Sequence, residues 1–529
     1  MNKRKFHWGR FVKSVAVIAI PVALQNLLTT TGSMVDTMMI APLGETTLGA
    51  VGLCAQFSSL MFSGYWGFVG GGMLFFSQYW GAKDDDGIDR SYGMTLVAMM
   101  TVALTAAVMA LFFPWTIMRL YTDKQSIQQI GVEYLRVVGF AYPLQVFSMA
   151  MSALLRSTEK MRLPMYAALA SVATNIALNW VLIYGHFGLP AMGIRGAALA
   201  TAIAAGVNAG TLLVLARAQK YPYLFHVRRH FRWTAARLRE YLRKCFPILC
   251  NEVLIGVGNM VINVVLGRQS EQAIAAIAVF RTLEGLVIGF FAGFSNAASV
   301  LVGKAVGAGE LDDAYERAKR LVPLCGGCIL AVCLLIVALH GPLLAALGLS
   351  GASFEICSQI LLVYCAVAVI RMCNWTQNDT YRAAGDAVYG TVLEIVFMYL
   401  IVLPAVYLSG MRLGAPILIV FACCYCDEPI RLILMQIHMY SGKWVKPVTP
   451  EGRAALPAFM AKRKRRRHRR KARAGNSPRL FICLCYFVRW ITFHDAAGRI
   501  TLPSFRSTGT DTGFPLSGFS SVFTAFTSS

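Results

Sequence analysis

The sequence predicts an all-α integral membrane protein: twelve transmembrane helices in two parallel-repeat six-helix lobes. Three observations carry this. First, 57% of the 529 residues are hydrophobic and 14% charged, with mean hydropathy +0.56. Soluble domains carry about 25% charged residues. Second, apolar runs of roughly the 20 residues that cross a hydrocarbon core recur at about 14–40, 48–76, 91–113, 128–152, 164–187, 196–216, 246–267, 274–300, 321–340, 358–381, 388–409 and 415–438. Backbone polar groups in lipid must be satisfied internally, so such runs span as helices. Third, residues 21–90 moved forward by 226 fall on 247–316 without a gap. Pro21 meets Pro247, Gly32 meets Gly258, Met34–Val35 meet Met260–Val261, Gly67–Phe68 meet Gly293–Phe294, and Gly81–Ala82 meet Gly307–Ala308. At the same offset Arg156 falls on Arg382.

In chain order, "MNKRKFHWGRFVK" supplies five basic residues before the first span. That span is too long for a cleaved signal peptide and lacks a small-residue cleavage site. A first six-helix lobe covers 14–216. A linker, 217–245, follows; its stretch 217–244 carries nine Lys and Arg, and the second lobe covers 246–440. Six spans is an even number, so both lobes enter the membrane in the same orientation, a known transporter design with its site between or within the halves. The opposite-side loops 41–47 and 341–357 carry no Lys or Arg. The positive-inside rule then places both termini and the linker in the cytoplasm of a multi-pass plasma-membrane protein.

The net charge of +24 resembles a nucleic-acid signal, but residues 461–529 hold 14 Lys and Arg against 2 acids and supply +12 of it. The run "KRKRRRHRRKAR" reads as a solvated block beside anionic lipid headgroups, with no specific nucleic-acid partner. Residues 455–529 as a whole read as a basic, disordered cytoplasmic tail. The cysteines lie scattered in apolar runs as small core residues. No phosphate loop, zinc signature or Ser/His/Asp arrangement stands out.

Polar stripes mark the candidate sites. Gln25, Thr29, Gly32, Ser33 and Asp36 share one face of the first helix. Glu252, Gly256, Asn259 and Asn263 share one face of the seventh. Gln56, Ser59 and Ser63 mark the second, and Ser171, Asn175 and Asn179 the fifth. In lipid such a stripe must face protein or a water-filled cavity, because a charge at the bilayer centre costs roughly 2.5–3.5 kcal/mol. Small and hydroxyl residues there also serve helix packing. Burial disfavours an ionised carboxylate, so a secluded acid suits proton pick-up and release; a small cation held by neighbouring oxygens is the alternative. Asp36 and Glu252 are therefore the candidate coupling-ion residues, with Asp36 the possible Na⁺ ligand. Gln25, Thr29, Ser33, Gln56, Asn175, Asn179, Asn259 and Glu284 are the cavity or substrate candidates. Glu284 follows Arg281 by three residues, the spacing of an internal pair. Asp379, Arg382, Glu394, Asp427 and Glu428 read as further pairs or interface residues. An enzyme using Asp36 as general base would need His, metal ligands or a second carboxylate on that face, and the stripe carries none.

The stretches "GSMVDTMMIAPLGETTLGAVGL", "NIALNWVLIYGHFGLPAMGIRGAALATAIA", "AAIAVFRTLEGLVIGFFAGFSNAASVLVGKAVGAGE", "YRAAGD" and "SGKW" together resemble the multidrug and toxic compound extrusion (MATE) transporters over residues 14–445. The resemblance implies two lobes around a V-shaped cleft. It implies export of bulky, cationic or amphipathic organic compounds in exchange for H⁺ or Na⁺. No other cofactor is expected, and the protein is expected to be a monomer. It carries the family's first-helix aspartate onto Asp36 and a seventh-helix glutamate onto Glu252. A lipid-linked-sugar flippase on the related two-lobe fold is the alternative. Two departures stand out: Asn179 occupies a position that is Asp in part of the family, and "LLRSTEKM" lacks the Gly-Asp that "YRAAGD" keeps.

Overall fold

The structure, a computed structural model, describes residues 7–346 and 351–474. Along the first half run α1 (Trp8–Ile40), α2 (Glu45–Ala82), α3 (Asp85–Phe112), the short α4 (Pro114–Tyr121), α5 (Gln125–Val138), α6 (Ala141–Ser157), α7 (Arg162–Tyr184) and α8 (Ile194–Ala218). After the linker turn α9 (Val227–His230) come α10 (Ala235–Leu266), α11 (Glu271–Gly307), α12 (Leu311–Ala346), α13 (Gly351–Ala383), α14 (Ala387–Phe397), α15 (Leu403–Tyr407), α16 (Ile417–Cys423), α17 (Glu428–Ser441) and α18 (Pro450–Ala474). Adding 226 to the start of α2, α3 or α5 gives the start of α11, α12 or α13, so the repeat extends well beyond the segment where identities are dense.

Nine helices among the described residues are long and apolar enough to span alone, and the α5–α6 pair, bent by 49°, makes a tenth. α2 and the broken α16–α17 pair fill the remaining two places of the repeat. α2 is long enough at 38 residues but dilutes its apolar content with Gly, Ser, Gln and aromatic residues. The eleventh span runs from α14 through α15 with π-turns at Met398–Val402 and Leu408–Arg412. Pro404 sits between them; its missing N–H and ring clash disfavour a regular α-helical ladder.

The lobes exchange partners. α1 packs on α11 of the other lobe, and α2 on both α10 and α11. Among the described residues, most hydrogen bonds between the halves lie toward the face that carries the N-terminus and the linker, here called the basic face, and one lies at mid-helix. Asn26 Nδ2 donates to the Gly289 carbonyl (3.3 Å), and Tyr241 OH donates to Thr95 Oγ1 (3.0 Å). Two latches close the floor, and they are related by the repeat. Gln78 Nε2 donates to the Ala383 carbonyl at 2.8 Å. Lys304, the equivalent of Gln78, reaches Glu159 in the corresponding turn of the first lobe at 2.7 Å. Between them the helix backbones touch through glycine. A Cβ on Gly81 would fall on the Lys304 carbonyl oxygen, and one on its equivalent, Gly307, would fall on the Gln78 carbonyl oxygen. Gly81→Ala is expected to force this crossing apart. Overpacking costs about 1–3 kcal/mol, enough to shift a two-state population roughly 5- to 150-fold. Spin labels on the basic ends of α2 and α11 would then report a longer distance; an unchanged distance distribution would show that the crossing does not depend on these glycines.

The turns explain the departure at "LLRSTEKM". Gly385 of "YRAAGD" has φ +95°, and the Lys446 carbonyl leaves no room for a side chain. Its equivalent, Glu159, adopts φ +66° without being glycine. There the side chain is free to meet Lys304 and to accept from Trp80 Nε1 (3.2 Å).

The basic linker and the start of the tail are both held against the bundle. The linker is strapped down on the acidic start of α3. Tyr223 OH donates to Asp85 (2.6 Å), His226 meets Asp89 (2.9 Å), and Arg229 lies 3.7 Å from Asp86. Burial draws the His230 imidazole below its usual pKa, leaving it neutral and donating from Nε2 to the Tyr223 carbonyl (2.8 Å). The tail, expected to be disordered from residue 455, instead begins as α18. Phe459 is buried, Arg463 donates to Tyr315 OH (2.6 Å), Lys462 meets Asp312 (2.5 Å), and Arg453 meets Glu240 (2.8 Å). Leu456, Phe459 and Met460 pack on the core cluster around Trp444, and these apolar residues just ahead of the basic run are what hold the helix. The first compact unit ends at Lys464; residues 475–529, the rest of the predicted tail, lie outside the described residues.

Candidate functional site

Asp36 sits where α1 packs on α7. Its Oδ1 accepts from Asn179 Nδ2 at 2.6 Å, and the same amide donates to Asn175 Oδ1 at 3.3 Å. Asn179 is fully buried, and its own Oδ1 has no donor. The residues thus present a carboxylate and two neutral amide oxygens within one helix pair, an oxygen-rich set that suits either a proton or a hard monovalent cation. Among the described residues no Arg, Lys or His pairs with Asp36. At the equivalent position Ile262 packs in an apolar cluster with Val265, Leu266, Val402, Val406 and Val420, so the site belongs to the first lobe alone.

The rest of the first-helix stripe is quieter. Thr29 donates to the Gln25 carbonyl (2.9 Å) and Ser33 to the Thr29 carbonyl (3.1 Å). Their hydroxyl protons are taken by their own helix, which leaves only lone pairs to offer a ligand. Gln25 Oε1 is buried without a donor. Gln56 and Asn259 are exposed, and neither is brought to Asp36 by a hydrogen bond.

The second lobe holds a different kind of centre. Glu252 lies 3.4 Å from Arg382, which also lies 3.8 Å from Asp379; Asp379 in turn accepts from Ser295 Oγ. Asn251 and Asn378 both donate to Glu394 Oε2 (3.1 and 3.2 Å). Arg431 spans Asp427 (3.1 Å), Glu394 (3.5 Å) and Glu428 (3.7 Å). Glu284 is buried between Arg281 (2.7 Å) and Arg371 (2.6 Å) and accepts from Tyr425 OH (3.2 Å). Glu284 is therefore an internal ion-pair residue and not a group offered to a cavity. Arg371 lies over the rings of Trp375 and Tyr425 at 4.7 and 5.0 Å. Sequence reasoning undervalued this network. The signal was present in α13, where "RMCNWTQNDTYR" puts Arg371, Asn374, Asn378 and Arg382 at spacings of 3 or 4 inside an apolar span.

Between the lobes, above the latches, lies a cavity lined by Trp66, Arg156, Ser295, Asn296, Asp379 and Arg382 among others. Arg156 and Arg382, equivalent in the repeat, face this one space.

An all-helical two-lobe bundle, among the described residues, with a membrane-embedded acid lacking a basic partner in one half and an arginine-paired charge network in the other defines a multi-pass membrane transporter. The family model described as MatE matches residues 21–181 and 247–408, one segment in each half. The chain belongs to that family, the MATE family. It is 25% identical over 444 residues to "Probable multidrug resistance protein YoeA" of Bacillus subtilis (strain 168), a match covering 82% of this chain and 94% of that protein. It is 23% identical to "Uncharacterized transporter YisQ" of the same organism, covering 78% and 90%. Of solved structures, it resembles "Outward-facing conformation of a multidrug resistance MATE family transporter of the MOP superfamily", with TM-score 0.72, 19% identity and coverage of 82% and 96%. It resembles "Crystal structure of MATE in the straight conformation" with TM-score 0.73, 18% identity and the same coverage.

Proposed function

We propose that this protein is a secondary active exporter of bulky, cationic or amphipathic organic compounds, driven by H⁺ or Na⁺ antiport through Asp36. One observation carries the reading. Glu252, Glu284, Asp379, Glu394, Asp427 and Glu428 each lie within 4.0 Å of an arginine, whereas among the described residues Asp36 has no arginine partner and accepts from the Asn179 amide. A carboxylate with a neutral partner changes charge on taking up an ion; a carboxylate locked to arginine does not. The cross-lobe bonds gathered at the basic face support alternating access, with that face cytoplasmic and closed in this conformation. The relatives' names support multidrug cargo. In purified protein reconstituted into liposomes, export of a cationic dye is expected under one imposed gradient, H⁺ or Na⁺, and not without a gradient. Equal dye movement with and without both gradients would refute the antiport.

A further inference from the structure

Arg156 ends α6 at the floor of the interlobe cavity. Only 7% of it is exposed, its Nε has no hydrogen-bond partner, and no carboxylate lies within ion-pair distance among the described residues. The repeat explains why. Arg382, its equivalent, has Asp379 three residues earlier and Glu252 on the neighbouring helix. Subtracting 226 turns those two acids into Ala153 and Asn26. Asn26 spends its amide on the Gly289 carbonyl at 3.3 Å. The second half keeps two carboxylates around one guanidinium, a formal charge of −1. The first half keeps the guanidinium alone, +1, and both Arg156 and Asp379 line the same cavity.

A buried guanidinium without a counter-ion carries an uncompensated desolvation cost, and its planar fork matches a carboxylate. We propose that this floor is a zwitterion subsite: Arg156 takes the carboxylate of the cargo, and Asp379, the acid of the Glu252–Arg382–Asp379 cluster that lines the cavity, faces its cationic end. This rests on the export reading and adds to its cargo a preferred class, compounds that carry both charges on an aromatic or aliphatic frame.

The test uses one amino-carboxylate aromatic compound and its methyl ester, which keeps the ammonium and removes the anion. Binding is read from quenching of Trp66, which lines the cavity, with Trp66→Phe identifying its share of the signal. Export is read in liposomes under the driving gradient. In wild-type protein the free acid is expected to bind more tightly than the ester. Arg156→Gln is expected to shift the acid-to-ester ratio of Kd and of KM by roughly 10- to 100-fold, the worth of a hydrogen bond to a charged group. Arg156→Lys, which keeps the charge and loses the fork, is expected to fall between. A ratio unchanged in Arg156→Gln, with either ligand bound or exported, overturns the subsite and leaves export standing. If nothing is exported but Trp66 quenching still prefers the acid through Arg156, the subsite stands and the export reading fails. If free acetate or chloride at equal concentration abolishes the acid's advantage, the site is a general anion site and the zwitterion assignment is wrong.

Discussion

Asp36→Asn is expected to abolish gradient-driven export while leaving the protein folded. The substitution keeps an oxygen at the position where Asn179 Nδ2 donates at 2.6 Å, so the α1–α7 contact survives. It removes the one group on that face whose charge changes when an ion binds. Coupling between two ligands is typically worth about 1–3 kcal/mol, or 5- to 150-fold, and a loss of that size or more should appear as export falling to the no-gradient rate. The check is dye export in liposomes under the driving gradient, with the melting temperature and elution volume of the variant as folding controls. Wild-type export by a folded Asp36→Asn protein would move the coupling site elsewhere, with the Glu252–Arg382–Asp379 cluster the next candidate. Asp36→Glu offers a second reading: the added methylene must fit against the fully buried Asn179, so partial export with an altered ion dependence is expected.

Arg431→Met should be the most destabilising single change in the second lobe. Arg431 is 5% exposed and holds Asp427, Glu394 and Glu428 at 3.1–3.7 Å. Removing it leaves three buried carboxylates without their shared cation. Breaking a buried pair from one side costs about 3–5 kcal/mol. Glu394→Gln should cost much less, because Asn251 and Asn378 can still donate to the remaining amide oxygen and Arg431 keeps two acids. Thermal unfolding of both variants in the same detergent checks the order. Arg431→Met melting with the wild type would mean that the network is a polar cavity rather than a structural clamp.

The two predictions differ because the two lobes solve the same problem differently. Where the second lobe saturates its acids with arginines, the first leaves one acid with neutral neighbours. The sequence showed half of this. Asp36 stood out because it is the only charge in a long apolar run, and a charge in lipid must have a reason. The arginine network was harder to see. Its members are spread over α10, α11, α13, α14 and α17, and no local pattern says that Glu284 meets Arg371 87 residues later. Nor does a basic run announce whether it hangs in solvent. The helix α18 forms because Phe459 finds Tyr315 and Trp444, and those are contacts between segments far apart in the chain.

By itself the sequence determined the membrane class, the number of spans, the two-fold repeat and the asymmetry at Asp36 and Ile262. These follow from hydropathy and self-similarity, properties that each segment carries wherever the chain folds. Only the tertiary structure decided which charges are paired, where the lobes touch and that, among the described residues, Arg156 has no acid within ion-pair distance. Pairing in a low-dielectric interior depends on distances of a few ångströms between helices, and those distances exist only once α10, α11, α13, α14 and α17 have packed together.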